Sequence, residues 1–252
     1  MRRRFFVEQF EVGAAVLRGD TAEHLGRVLR AEAGELYELS DGKTVWLARV
    51  EGVALTKRGE SRIDFALVEP IAAREPSPRI ELFISIVKFD RFEWCLEKAT
   101  ELGVARMLPL IAARTDKALV AAASKRLDRW QRILVESAQQ SRQLRAPEIA
   151  APSQPHSAFA ECSSEAKILL SERAGAPPLC AAFAHPASQT PNSEMKPPPQ
   201  SAALAIGPEG GWTDEELAAA RDAGFAEASL GENILRTETA VIASLAVLRF
   251  GG

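Results

Sequence analysis

From Ile80 to Ile86 the chain reads IELFISI, a nearly continuous apolar run, and the segment that follows, DRFEWCLEKATELGV, places Phe92, Leu96, Ala99 and Leu102 at helical spacing. A strand apolar on both faces must be covered on both, which a parallel sheet achieves with crossover helices. The alternation continues. ARMLPLI is a second strand, and SKRLDRWQRILVESAQQ is a longer helix with Leu127, Trp130, Leu134 and Ala138 on one face. AKILLSE, AALAI and EASL supply three more short strands. The expected fold class is therefore α/β, and ligands of such sheets sit beyond the carboxyl ends of the strands.

The first seventy residues have a different rhythm. RRFFV, then ELYELSDGKTVWLARVEGV with Asp41-Gly42 as a hairpin turn, then SRIDFALVEP, read as short strands of a small β-rich unit. Between them DTAEHLGRVLRAEAGE predicts a short helix, capped by Asp20 or Thr21 and followed by a turn at Gly34. Pro70 to Pro78, PIAAREPSP, has the composition of a linker. The expected organisation is a β-rich domain over 1–72, a linker over 73–78 and an α/β domain over 79–252. Residues 185–201, HPASQTPNSEMKPPPQS, have many prolines and little to bury, and predict a flexible loop.

Charge and composition exclude several function classes. With 31 Lys and Arg against 34 Asp and Glu, the net charge of -3 denies the chain a generally basic surface, so any nucleic-acid site must be a local patch. No apolar run approaches the roughly 18 residues of a membrane span, and no signal-peptide core is present, so the expected location is the cytoplasm, with no membrane partner. Cys95, Cys162 and Cys180 form no C-x-x-C pair and His24, His156 and His185 are scattered. Neither a disulfide framework nor a metal site is expected.

Chemistry is concentrated in two strand-turn-helix segments. In ALAIGPEGGWTDEEL the turn Gly207-Pro208-Glu209-Gly210-Gly211 follows a buried strand, but Trp212 stands where a Walker loop would continue towards its lysine, and Glu209 occupies the second glycine position of a dinucleotide fingerprint. A carboxylate among backbone amides repels phosphate, so a neutral or cationic ligand fits this turn better. Thr213 with Glu216 predicts a capping box for the next helix, and Gly224 its end. The second segment, ASLGENILRTETAVIASLAVLRF, turns at Gly231 and enters a helix near Thr237 that is apolar on nearly every side and must be buried in the core or against another subunit. Arg236 and Glu238 flank its entrance. Arg236 either meets a ligand there or pairs with Glu238 or Glu232.

Together LAIGPEGGWTDEEL and SLGENILRTETAVIASL resemble the signature of the RsmE family, small-subunit ribosomal RNA uridine-N3 methyltransferases of the SPOUT superfamily. RRFF, HLGRVLRAEAGE, KFDRFEWCLEKATELGV and RAPEI extend the resemblance over nearly the whole chain. It implies a PUA-like β-barrel that grips RNA, followed by a SPOUT domain with a deep trefoil knot, working as a homodimer on S-adenosylmethionine. The implied substrate is small-subunit rRNA, free or in the assembled small ribosomal subunit. Carried over by position, the cofactor pocket comprises Ile206, Gly207, Pro208, Glu209, Gly210 and Gly211 with Leu230, Gly231, Ile234, Leu235, Arg236 and Thr237, and also Leu170 and Glu172.

N3 of uridine is an imide nitrogen, a poor nucleophile until its proton leaves, and the resulting charge spreads onto O2 and O4. Methyl transfer needs alignment, help with deprotonation and a cation near those oxygens. Arg236 is assigned the last role, with Glu238 and Glu209 as candidate proton acceptors or orienting groups. RNA contacts are expected at Arg2, Arg3, Arg4, His24, Arg27 and Arg30 in the first domain and at Lys88, Arg91, Gln140, Arg142 and Arg145 further on, whereas Arg126, Arg129 and Arg132 read as solvated. The chain departs from the family where EQCGR or EQSGR is usual: here Gln139-Gln140-Ser141-Arg142-Gln143 stands instead. Competing readings are a SPOUT enzyme acting elsewhere on RNA, such as a ribose 2'-hydroxyl, and an inactive RNA-binding assembly factor.

Overall fold

The computed structural model describes residues 3–56, 60–173, 175–183 and 199–250. Arg2 and residues 185–198 of the expected proline-rich loop lie outside the described residues. The chain divides into two compact units: Met1–Glu75 with Ala138–Ala146, and Pro76–Ser137 with Pro147–Gly252.

The first unit is a curled, mostly antiparallel sheet of β1 (Arg4–Phe6), β2 (Ala14–Arg18), β3 (Leu36–Ser40), β4 (Val45–Ala54) and β5 (Arg62–Ile71), in the order β1-β3-β4-β5-β2. Asp41-Gly42 makes the β3–β4 turn: Gly42 has φ of 82°, and the Asp41 carboxylate accepts from the N–H groups of Lys43 and Thr44 at 2.9 and 2.7 Å. β5 runs through Pro70 to Ile71. Its partner β2 pairs only as far as Ala66, so Pro70 occupies an edge where its missing N–H is tolerated. Phe5, Leu17, Leu25, Leu39, Ile63 and Phe65 close the core beneath the sheet.

The short helix differs from expectation at its start. α1 (Gly19–Glu23) springs directly from β2, with Arg18 as its N-cap and no side-chain cap, so neither Asp20 nor Thr21 caps it. The Gly19 N–H is already taken by the Ser61 carbonyl at 2.9 Å. The helix then widens into a π-helical stretch, His24–Val28.

Residues 138–146 were expected in the second domain but fold with the first unit. Arg4 donates to the Arg142 carbonyl at 2.6 Å, and the Arg145 guanidinium pairs with Glu75. Arg142 stands 3.4 Å from the Glu38 carboxylate.

The second unit is a parallel six-stranded sheet in the order β11-β9-β10-β6-β7-β8, built from β6 (Arg79–Ser85), β7 (Arg106–Leu110), β8 (Glu148–Ile149), β9 (Ala166–Leu170), β10 (Ser201–Ile206) and β11 (Ala226–Ala228). Its helices are α2 (Phe89–Glu101), α3 (Lys117–Ala123), α4 (Leu127–Gln140, whose last three residues count with the first unit), α5 (Pro155–Ala160), α6 (Leu179–Phe183), α7 (Asp214–Asp222) and α8 (Thr237–Phe250). Both sheet faces are covered, as the apolar strands demand. On one, Ile80, Leu82 and Ile84 of β6 join Phe92, Leu96, Trp130, Leu134, Val241 and Leu245; on the other, Phe83 joins Phe159, Leu169, Leu217 and Phe225. Helix α2 ends at Gly103, whose φ of 78° gives the left-handed turn. Arg249 donates to the Leu102 carbonyl at 3.0 Å and to Gly103, placing a cation on the negative end of that helix. Burial draws the Arg249 guanidinium down to about 10.

Arg126 and Arg129, expected to be solvated, clamp Glu93 instead at 3.1 and 2.8 Å, and the Arg126 guanidinium also lies 4.4 Å from the Phe89 ring centroid. The Arg129 hydrogen bond chiefly holds the Glu93 carboxyl below the usual carboxylate range, with Arg126 assisting. Among the described residues no helix is long and apolar enough to cross a membrane, and no His, Cys, Asp and Glu cluster could hold a metal.

Candidate active site

The capping box at the start of α7 is complete, and it fixes the glycine turn from behind. Thr213 accepts from the Glu216 N–H at 3.2 Å, and the Glu216 carboxylate accepts from the Thr213 N–H at 2.8 Å. The other Glu216 oxygen accepts from the Ala113 N–H at 2.8 Å, in the loop after β7. From the same loop Arg114 donates to the Gly210 carbonyl. One buried carboxylate thus joins the α7 entrance to a neighbouring strand end. Glu216→Ala leaves two backbone donors unmatched and is expected to cost about 2 kcal/mol, read as a lowered denaturant midpoint.

Trp212 forms the floor. Its indole Nε1–H donates to the Leu170 carbonyl at 3.0 Å, and its ring meets Phe159 edge-on at 5.9 Å. Gly207 lies against this ring so closely that a Cβ there would fall 3.0 Å from it. That glycine is required by close approach.

A cavity of about 240 Å³ opens beyond the carboxyl ends of β9, β10 and β11. Leu170 and Glu172 line it from the end of β9, and Ile206, Gly207, Pro208 and Glu209 from the end of β10. Leu230, Gly231, Ile234, Leu235, Arg236 and Thr237 close it from the segment before α8. Gly210 and Gly211 are outside the lining and serve the turn, Gly211 with φ of 71°. Ser171, Trp212, Glu232, Asn233 and Ala240 also line the cavity; sequence reasoning had not assigned them to the site. Trp212 was legible only as the residue that breaks a Walker pattern.

The charged groups are distributed unevenly. Arg236 is exposed and makes no ion pair or side-chain hydrogen bond with a described residue, so neither Glu232, Glu238 nor Glu209 neutralises it. Glu209 pairs instead with Arg91. Glu238 has one oxygen 4.0 Å from Arg91 and the other buried without a hydrogen-bond partner among the described residues. Burial first, and the nearby Glu238 charge second, push the Cys95 thiol up to about 12, so it stays protonated and is no nucleophile.

The residues expected to meet RNA fare differently. Arg4 is only 6% exposed and binds Glu38 through Nε and NH2 at 3.1 and 2.9 Å, so its guanidinium is withdrawn from the surface into an internal pair. Arg3, His24, Arg30, Lys88 and Gln140 are exposed. Arg27 is exposed but tied to Glu23 and the Thr56 carbonyl, both at 2.9 Å, while Arg142 and Arg145 have the acidic partners described above.

The RNA methyltransferase domain family model matches residues 74–249. Along the full chain, the ribosomal RNA small subunit methyltransferase E of Synechocystis sp. is 32% identical over 98% of this chain and 77% of its own. This chain belongs to the ribosomal RNA small subunit methyltransferase E family. A crystal structure of the family from Neisseria gonorrhoeae, bound to S-adenosyl methionine, is 31% identical with a TM-score of 0.78, covering 98% of this chain and 97% of that one. A methyltransferase from Legionella pneumophila, also with bound S-adenosyl methionine, is 30% identical with a TM-score of 0.77 over 100% of this chain and 98% of its own. Both glycine segments fall inside the matched family region, as does the cavity they line.

Proposed function

We propose that this protein transfers a methyl group from S-adenosylmethionine to N3 of a uridine in small-subunit ribosomal RNA. The observation that carries the reading is the convergence of three strand ends and both glycine segments on one cavity, with the unneutralised Arg236 at its edge. Family membership and the S-adenosyl methionine bound by the two similar structures support it.

The cavity suits that cofactor. Its lining joins apolar side chains, Leu170, Ile206, Pro208, Ile234, Leu235 and Ala240, to the carboxylates Glu172, Glu209 and Glu232, and offers no lysine to a phosphate. An apolar base and a sulfonium fit this mixture; a polyphosphate does not. When bound, the cofactor supplies an electrophilic methyl group. The backbone of residues 206–209, together with residues 230–237, would hold it and shield it from water. Arg236 would face the charge that develops on the uridine carbonyl oxygens, and Glu238, two residues on in the first turn of α8, would act as an orienting group.

The finer architecture belongs to the same proposal. The curled sheet of the first unit is a PUA-like RNA grip, and the two loops that wall the cavity are the strands of a trefoil knot. The enzyme acts as a homodimer. Apolar surface on and before α8 supports this, since Phe250 is 76% exposed and Ile234 80%. RNA meets local basic groups, among them Arg3, His24, Arg30 and Lys88, which stand exposed.

Small subunits from a strain lacking this protein, incubated with it and labelled cofactor, should gain one methyl group at uridine N3 by mass spectrometry. Label on a ribose would replace the proposed target. No incorporation into subunits or free rRNA would leave a non-catalytic binding role.

A further inference from the structure

We infer that Arg91 is a positioning residue of the cofactor pocket, holding Glu209 and Glu238 on one guanidinium and so setting the spacing of the pocket's two walls. The inference rests on reading the cavity as the S-adenosylmethionine site. It gives Arg91 a role other than contact with RNA.

Three elements meet at this group. Arg91 lies in the first turn of α2, Glu209 in the glycine turn after β10, and Glu238 in the first turn of α8. Arg91 donates from NH1 to Glu209, 118 residues away in sequence, while its Nε stands 4.0 Å from Glu238. Glu209 lines the cavity directly; Glu238 sits between lining residues Thr237 and Ala240. The guanidinium therefore joins a carboxylate that lines one wall, Glu209, to a carboxylate behind the other, Glu238 at the root of α8.

The location is costly for a cation in isolation. The first turn of a helix is its positive end, and α2 has no side-chain N-cap there, only Asp90 beside Arg91 in the same turn. Two carboxylates offset that cost. In return, Arg91 neutralises Glu238, whose side chain is only 19% exposed and whose second oxygen finds no hydrogen bond among the described residues. The pairing also occupies Glu209, which leaves it a poor candidate for proton acceptor and makes its carboxylate a tether for the glycine turn.

The test uses the full-length protein and S-adenosylmethionine alone, by titration calorimetry, with the RNA KM measured in parallel. Arg91→Met should weaken S-adenosylmethionine binding about tenfold or more while leaving the RNA KM within about twofold. Arg91→Lys should recover part of the loss, because an ammonium serves one carboxylate well but lacks the fork that reaches both. Adding Glu209→Gln to Arg91→Met should cost little further, since their coupling is already gone. Unchanged cofactor affinity with a raised RNA KM would make Arg91 a surface RNA contact and overturn the inference, as would additive losses in the double variant. Should Arg91→Met fail to fold, Glu209→Gln alone must weaken cofactor binding, and wild-type affinity there overturns it equally. A wild-type protein that binds no S-adenosylmethionine would remove the pocket reading itself, a result distinct from normal wild-type binding with insensitive variants.

Discussion

Arg236→Ala is expected to keep the fold and reduce methyl transfer about 100- to 1,000-fold, the scale on which a lost charge-stabilising group acts. Among the described residues the side chain has no ion-pair or hydrogen-bond partner whose loss could destabilise the protein, and it stands on the exposed rim of the cavity. The loss should fall on kcat, because charge on the uridine oxygens grows only as the imide is deprotonated and attacked. Cofactor binding, measured by calorimetry, should change by far less. A variant with wild-type kcat would remove Arg236 from the chemistry, and one with normal kcat but weak cofactor binding would assign it to the pocket instead. Arg236→Lys should restore only part of the rate, since an ammonium presents a point charge where the guanidinium presents a fork.

The largest loss of stability is expected at Trp130. Its side chain is fully buried, 4.7 Å from the Phe92 ring and 6.1 Å from Phe89 between centroids, so Trp130→Ala opens a large cavity where α4 meets α2. A cost of about 3–5 kcal/mol follows, or roughly 10 °C in the melting temperature of a chain this size. Trp130→Phe should cost much less. The indole Nε1–H is buried without a hydrogen-bond partner among the described residues, so removing it relieves a desolvation penalty that offsets part of the lost packing. Equal destabilisation by the two substitutions would contradict that account.

Strands with mostly apolar runs were legible: IELFISI up to Ser85, AKILLSE up to Leu170 and all of AALAI fall in strands of the parallel sheet. The longer helices carried their own punctuation, with Gly103 ending α2 and the Thr213–Glu216 box opening α7. Elements without such signals escaped notice. KALVAAA in α3 is too rich in alanine to show a face, β8 is two residues long, and α5 and α6 are single short turns that tertiary packing alone sustains. The site divides in the same way. Both glycine segments could be found from local pattern, but no spacing rule joins Arg91 to Glu209 or Arg114 to Gly210, which lie 118 and 96 residues apart. Arg4 misled for a related reason, since a run of arginines at a terminus gives no sign that one is buried against Glu38.

The return of residues 138–146 to the first unit has a consequence for how the chain is made. Arg4 and Ser40 donate to the carbonyls of Arg142 and Leu144 at 2.6 and 2.5 Å, groups that leave the ribosome only after more than half of the chain has been synthesised. Domains fold as units during translation, at roughly 5–20 residues per second. The amino-terminal sheet must therefore wait several seconds, with Arg4 and Glu38 lacking their last partners, while β6, α2 and β7 emerge. An enzyme whose substrate is ribosomal RNA thus completes its first unit late, and a stop codon placed after Glu75 would release a sheet without its final strap.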